Sequence, residues 1–192
     1  MTYTFFINCL IITILSLGFG LFVAVNRKKA EQMASVYTWI VFCFVVAVWS
    51  LGLGMMTASS EVLSARKWLM VHQTGAILTP TLFLQFSFNL SLLSKKRFLM
   101  LLACYLFTAF LLALTYTDNL VYPSPNGQFN FYTTARPYYN LYPTYFFFCV
   151  GYAFAIFIRE FVGSRGHRRV QMKYLLLAQF GHRFTLEALD HD

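Results

Sequence analysis

The residue types that carry out catalysis are present in this chain, but they do not stand at the spacings of a known site. The four cysteines, Cys9, Cys43, Cys104 and Cys149, lie singly inside apolar runs. We interpret them as small buried hydrophobic residues, because metal ligands and disulfides need paired spacings. The sequence has no Gly-rich phosphate loop, no Ser-x-x-Lys and no His-Glu-x-x-His motif. We therefore expect no catalytic residue, no metal, no cofactor and no enzyme activity.

Polar side chains gather instead in one apolar stretch, Leu69–Leu92. At about 100° per residue they fall on two opposite sides of a helix, so that helix is best buried within a bundle. One side holds His72, Gln73, Thr79, Pro80 and Ser87, and the other holds Thr74, Thr81, Gln85 and Asn89. We favour interhelical hydrogen bonding as their role. The alternative is a ligand or switch site, for which the candidates are His72, Gln73, Thr79, Pro80 and Gln85.

Two local features should shape this helix and its neighbour. Pro80 lacks a backbone N–H and should kink or loosen the helix at the preceding turn. Small residues at Ser50, Gly52, Gly54 and Gly75 should let helices approach closely. Several candidates for an aromatic belt at the membrane interface are found among Trp39, Trp49, Trp68, Tyr138, Tyr139, Tyr142 and Tyr145.

Five stretches without acidic or basic residues are the elements that would position these groups. They are Thr4–Val25, Val36–Thr57, Leu69–Leu92, Phe98–Tyr116 and Tyr138–Ile158. Each is long enough to cross a bilayer core of about 30 Å, which takes about 20 helical residues. We predict an all-α integral membrane helical bundle with five complete spans. Between spans four and five, the turn cluster around Pro123–Gly127 predicts a small extracytoplasmic β-hairpin.

Charge supports the membrane assignment and gives it a direction. Hydrophobic residues make up 58% of the chain and charged residues only 11%, with a net charge of +8. One set of loops holds Arg27, Lys28, Lys29, Lys95, Lys96, Arg97, Arg159, Arg165, Arg168, Arg169 and Lys173, whereas the opposite set holds Arg66, Lys67 and Arg136. This bias places the first set in the cytoplasm and the N-terminus outside. It also argues against nucleic-acid binding, since no compact basic domain is present.

The C-terminal part differs from the rest. An apolar run begins at Tyr174 but stops at Gly181, which spans only about 12 Å as a helix. We expect a transmembrane region over 1–180 that includes a partial sixth span at 174–181, and a polar tail over 181–192 arising from a truncation or frameshift. The alternative is a short amphipathic helix on the cytoplasmic surface.

The second and third stretches carry a family resemblance. The runs Trp49–Gly52, Lys67-Trp68 and Gly75–Phe86, together with an outer loop containing Asn119-Leu120 and Gly127, resemble the seven-helix N-terminal sensor region of bacterial histidine kinases. The resemblance covers roughly Val36 to Ala178. We expect the chain to depart from that pattern, with an incomplete sixth span and without the seventh span and the kinase portion.

The resemblance implies a signal-input module of a two-component sensor histidine kinase in the bacterial cytoplasmic membrane. As partners we expect the lipid bilayer and a small or lipid-like ligand of unknown identity. A homodimer is left open, and we expect no nucleic acid. The second functional hypothesis is a stand-alone membrane protein, such as a partner-binding subunit or a transporter fragment. Kinase motifs encoded just past Asp192 would favour the first hypothesis, and an intact unrelated gene would favour the second.

Overall fold

The computed structural model describes residues 2–27, 33–93, 95–166, 169–170 and 172–173. Within these ranges the elements are α1 (Thr2–Asn26), α2 (Met33–Ala58), α3 (Val62–Leu90), α4 (Phe98–Tyr116), β1 (Val121–Asn126), β2 (Phe129–Ala135) and α5 (Leu141–Gly163). A helix therefore forms in each of the five uncharged stretches. The predicted partial sixth span at 174–181 and the tail at 181–192 lie outside the described residues.

Four of the described helices are long and apolar enough to cross a membrane, namely α1, α2, α4 and α5. Helix α3 has sufficient length, at 29 residues. Its polar side chains, together with Arg66 and Lys67 in its early turns, lower its hydropathy. The expectation of five complete spans is therefore not confirmed by length and composition, because the central helix is less apolar than its neighbours.

Helix α3 forms the centre of the bundle. It packs against α2, α4 and α5, whereas α1 packs mainly on α2 at the edge. Leu69, Ile77, Leu84 and Phe88 of α3 are fully buried, so the interior is built around this helix. The polar residues of α3 are consequently shielded by more apolar helices, as a helix that is polar on two sides requires.

The outward faces of the surrounding helices are apolar. Helix α1 exposes Ile14, Leu15, Leu21 and Phe22, and α4 and α5 expose similar residues. A soluble protein rarely exposes continuous apolar surface on this scale. Such faces are what helices in contact with lipid tails present.

The strands β1 and β2 form an antiparallel hairpin, which confirms the predicted hairpin between the fourth and fifth stretches. It packs on α2 and α3. Val121 of β1 and the preceding Leu120 are fully buried, and Phe131 of β2 is nearly so. The ion pair between Arg66 and Asp118, at 2.5 Å, links the start of α3 to the turn after α4. The hairpin therefore covers one end of the bundle.

Candidate functional site

Helices α2 and α3 cross at two glycines that make reciprocal contacts. A Cβ atom on Gly52 would lie 2.5 Å from the backbone nitrogen of His72, and a Cβ atom on Gly75 would lie 2.7 Å from that of Trp49. Gly75 contacts Trp49, which lies one helical turn before Gly52. Gly52 contacts His72, which lies one helical turn before Gly75. Since real Cβ atoms do not approach backbone atoms so closely, only glycine at both positions permits this crossing.

His72 binds across the same crossing. Its Nδ1 lies 3.1 Å from the carbonyl oxygen of Trp49, and its ring stacks on the Trp49 indole with ring centroids 6.3 Å apart. Because a carbonyl oxygen only accepts, this contact fixes the proton on Nδ1. His72 is 9% exposed. Its position therefore fits the interhelical hydrogen bond that the sequence favoured.

The small residues of α2 contact two different helices. The hydroxyl of Ser50 donates to the carbonyl oxygen of Cys9 on α1 at 2.9 Å. A Cβ atom on Gly54 would come within 2.9 Å of the Cys9 Cβ atom. Ser50 and Gly54 thus permit the approach of α1, while Gly52 on the opposite side permits the approach of α3.

Three other candidates on α3 have different environments. Gln73 is 4% exposed, and its Oε1 has no hydrogen-bond partner among the described residues. The hydroxyl of Thr79 donates to the carbonyl oxygen of Gly75 in its own helix at 2.8 Å, so this bond does not reach another helix. Gln85 accepts a hydrogen bond from the hydroxyl of Tyr105 on α4. Gln73 is therefore the candidate with an unused acceptor.

Pro80 lies within α3, which is continuous from Val62 to Leu90. A proline at this position has no N–H to donate to the carbonyl oxygen four residues earlier, which belongs to Ala76. The hydroxyl of Tyr142 on α5 donates to that oxygen at 3.4 Å. The predicted loosening thus takes the form of one missing backbone bond, replaced by a bond from a neighbouring helix.

Because the Tyr142 hydroxyl replaces the bond that Pro80 cannot make, the stability effect of Tyr142→Phe should depend on whether Pro80 is present. Tyr142→Phe should destabilise the natural chain by about 0.5–1 kcal/mol, because it leaves the Ala76 oxygen unpaired in a low-dielectric interior. In the Pro80→Ala background, the new N–H pairs with that oxygen, so Tyr142→Phe should cost almost nothing. A double-mutant cycle on unfolding in mixed micelles measures the coupling, and purely additive effects would contradict it.

A polar cluster in the middle of the bundle was not predicted. The hydroxyl oxygens of Thr81 on α3 and Thr108 on α4 are 2.7 Å apart, and the Tyr145 hydroxyl on α5 lies 2.6 Å from Thr81 and 3.1 Å from Thr108. Tyr145 also donates to the carbonyl oxygen of Cys104 at 2.9 Å. Tyr145, one of the seven aromatic residues considered for the interface belt, is only 7% exposed and is therefore not one of its members. Thr108, the one threonine in the middle of the fourth stretch, is the signal that could have indicated this cluster.

Comparison with known families identifies the fold described above. The family described as the N-terminal 7TM region of histidine kinase matches residues 9–180. The chain belongs to this family. No curated protein and no solved structure matches the chain. The chain is thus a multi-pass membrane protein of a signal-transduction family, in agreement with the resemblance carried by Trp49–Gly52 and Gly75–Phe86.

The candidate positions are distributed along α3 and do not converge. At a rise of about 1.5 Å per residue, Gln85 lies about 20 Å along the helix from His72. His72 and Gln73 lie in the half nearer the hairpin, Thr79 and Pro80 near the middle, and Gln85 in the other half. The arrangement can therefore couple helices at several depths, but it does not form a single pocket lined by all five.

Proposed function

We propose that this chain is the membrane-embedded signal-input module of a two-component sensor histidine kinase. The family match over residues 9–180 carries the proposal. The chain itself should show no ATP-dependent phosphorylation, because its sequence has no recognisable kinase motif. The output would come from cytoplasmic kinase domains, with which the 7TM region acts in the family.

Five membrane spans are part of the proposal, with α3 as the third. Its 29 residues reach about 43 Å as a helix, longer than the hydrocarbon core of about 30 Å. Its polar groups are tolerable in a bilayer because the other helices shield them and most of those described above are hydrogen-bonded. The partition of basic residues among the loops supports an external N-terminus and a cytoplasmic membrane location.

Cysteine labelling of intact cells tests this topology. Gly127→Cys, in the hairpin turn, should react with a membrane-impermeant maleimide from outside, whereas Lys96→Cys should react only after the cells are permeabilised. Both positions are exposed, and the four native cysteines are buried, so background labelling should be low. Labelling of Lys96→Cys in intact cells would reverse the orientation and contradict the proposal.

The sensing mechanism we propose is a change in how α3 packs against α2 in the half of the bundle under the hairpin. In that half, the Gly52–Gly75 crossing leaves no space for a larger side chain. The buried Oε1 of Gln73 has no hydrogen-bond partner among the described residues, and a small or lipid-like ligand could donate to it. Pro80 makes α3 locally less constrained, and Thr79 and Gln85 lie on the path toward the cytoplasm. A ligand shifts this packing only if it binds one of the two arrangements more tightly.

The reading frame beyond the codon for Asp192 tests the functional assignment. A dimerisation-and-phosphotransfer domain followed by an ATPase domain, encoded in any frame, is the expected result, and it would imply a second copy of the chain as a partner in the assembled kinase. An intact unrelated gene directly after this codon would count against the input module.

A further inference from the structure

A polar cavity lies at the end of the bundle opposite the hairpin, between the last turns of α3 and α5. It is open to the surface and has a volume of about 580 Å³. Its lining includes Ser91, which follows α3, and Arg159, Glu160, Ser164 and Arg165 at the end of α5. None of the candidate positions along α3 lines it. The cavity is therefore a second feature, separate from the sensing elements proposed above.

Ser91 indicates that the cavity is built to hold a polar group. This side chain is only 6% exposed, and its hydroxyl has no hydrogen-bond partner among the described residues. Burying an unpaired hydroxyl is unfavourable, so native proteins usually give such a group a partner. The Ser91 oxygen is closed to solvent in the structure, so a ligand in the cavity would supply that partner once the hydroxyl rotates towards it.

The charges around the cavity favour an anion. Two guanidinium groups, from Arg159 and Arg165, oppose one carboxylate, Glu160, which has an interaction of its own. The exposed residues Lys95 and Lys96 add positive charge on the same side of the bundle. Guanidinium groups bind phosphate oxygens well because their fork of N–H donors matches two oxygens at once.

The capped end of α3 opposes this positive charge less than an uncapped helix end would. Its last carbonyl groups are paired within a helix-terminating turn, in which Leu93 donates to Phe88 at 2.8 Å and Leu92 donates to Asn89 at 3.2 Å. Leu92 reaches this turn with a φ of +55°, a conformation that leucine rarely adopts. The turn satisfies carbonyl groups that would otherwise repel an anion, in the manner of a Schellman cap.

We propose that this cavity binds the phosphate group of an anionic lipid, with Arg159 and Arg165 as ligands and Ser91 as an additional donor. A lipid is the source we infer because apolar surface adjoins the polar lining: Leu92 is 65% and Val162 77% exposed. The headgroup would occupy the cavity while the acyl chains lie along these side chains. This inference does not depend on the kinase assignment.

Lipid binding to the purified full-length chain in a neutral detergent tests the site. Phosphatidylglycerol, phosphatidylcholine and inorganic phosphate are added separately, and bound lipid is counted by native mass spectrometry alongside the melting temperature. We expect phosphatidylglycerol to bind and raise the melting temperature, with little effect of the other two. The Arg159→Gln/Arg165→Gln variant should bind phosphatidylglycerol about tenfold more weakly or worse, because charge-assisted hydrogen bonds are lost.

The Lys95→Gln/Lys96→Gln variant is the matched control. It removes the same charge from the same side of the bundle without altering the lining of the cavity, so it should retain phosphatidylglycerol binding. Equal loss in the two double variants would assign the attraction to general surface charge and overturn the site. An equal melting shift with inorganic phosphate alone would overturn the lipid as its source.

Ser91→Ala provides a second variant should the double arginine variant fail to fold. It removes an unpaired buried hydroxyl, so the lipid-free chain should melt at the same or a higher temperature. The stabilisation by phosphatidylglycerol should nevertheless decrease, because one donor to the headgroup is missing. A Ser91→Ala chain that responds to phosphatidylglycerol as the natural chain does would count against the proposed role of Ser91 and, if the arginine variant also binds normally, against the site.

Discussion

Gly75→Ala should destabilise the bundle by about 2–3 kcal/mol, although it adds only one methyl group. The new Cβ atom would lie 2.7 Å from both the backbone nitrogen and the Cβ atom of Trp49. Neither atom belongs to a flexible side-chain end, so the two helices must separate to make room. That separation would also lengthen the His72–Trp49 hydrogen bond, now 3.1 Å. Unfolding of the purified chain in mixed micelles measures the loss.

The reciprocal substitution and a remote one complete the test. Gly52→Ala should have a similar effect, since its Cβ atom would lie 2.5 Å from the backbone nitrogen of His72. Gly151→Ala on α5 is the control, because nothing lies within 4 Å of a Cβ atom there. Equal stabilities for the Gly75→Ala and Gly151→Ala variants would show that the close crossing is not a determinant of the fold.

The positions of the helices could be predicted because the bilayer sets both their length and their lack of charge. The hairpin itself was predictable from the Pro, Asn and Gly residues between two runs that contain aromatic and β-branched residues, but its turn was placed too early. Pro123, Pro125 and Asn126 belong to β1, and the turn lies at Gly127 and Gln128. The central place of α3 followed from its two polar arcs. The start of this helix at Val62 was missed, because Arg66 and Lys67 were taken to lie outside a membrane helix, whereas its early turns carry them at the end of the bundle beside the hairpin.

The partners of the polar groups could not be predicted in the same way. A helical wheel gives the angular position of Thr81, but it does not say which helix faces that side or at what depth. Ser50, Gly52 and Gly54 looked like one packing stripe, yet alternate members face different helices. Tyr145 looked interfacial because it lies near the start of an apolar stretch, and only the docking of α5 against α3 and α4 buries it.

The hydrogen bonds of α3 are distributed by depth. His72 binds α2 in the half under the hairpin, and Asn89 binds Thr38 of α2 at 2.8 Å near the opposite end. In the middle, Thr81 binds α4 and α5 instead. A rotation or shift of α3 would therefore break hydrogen bonds to different helices at different depths. Two packing arrangements of α3 would then differ more in free energy than if α3 made only apolar contacts.

Tyr145→Phe tests the middle layer and should cost about 1–2 kcal/mol. A single interhelical hydrogen bond in a membrane protein contributes about 0.6 kcal/mol on average and about 1.7 at most. The Tyr145 hydroxyl both donates to Cys104 at 2.9 Å and lies within hydrogen-bonding distance of two threonines. The cost stays below the sum of these contacts because Thr81 and Thr108, 2.7 Å apart, still bind each other. Unfolding in mixed micelles provides the measurement.

Tyr152→Phe is the matched control on the same helix. The Tyr152 ring packs against Phe88 and Phe148, and its hydroxyl makes no hydrogen bond within the described part of the chain, so removing it should change stability little. Thr108→Val combined with Tyr145→Phe should cost less than the two changes separately, because both disrupt one network. If Tyr145→Phe were as neutral as Tyr152→Phe, the buried cluster would contribute no net stability, and α4 and α5 would be held to α3 by apolar packing alone.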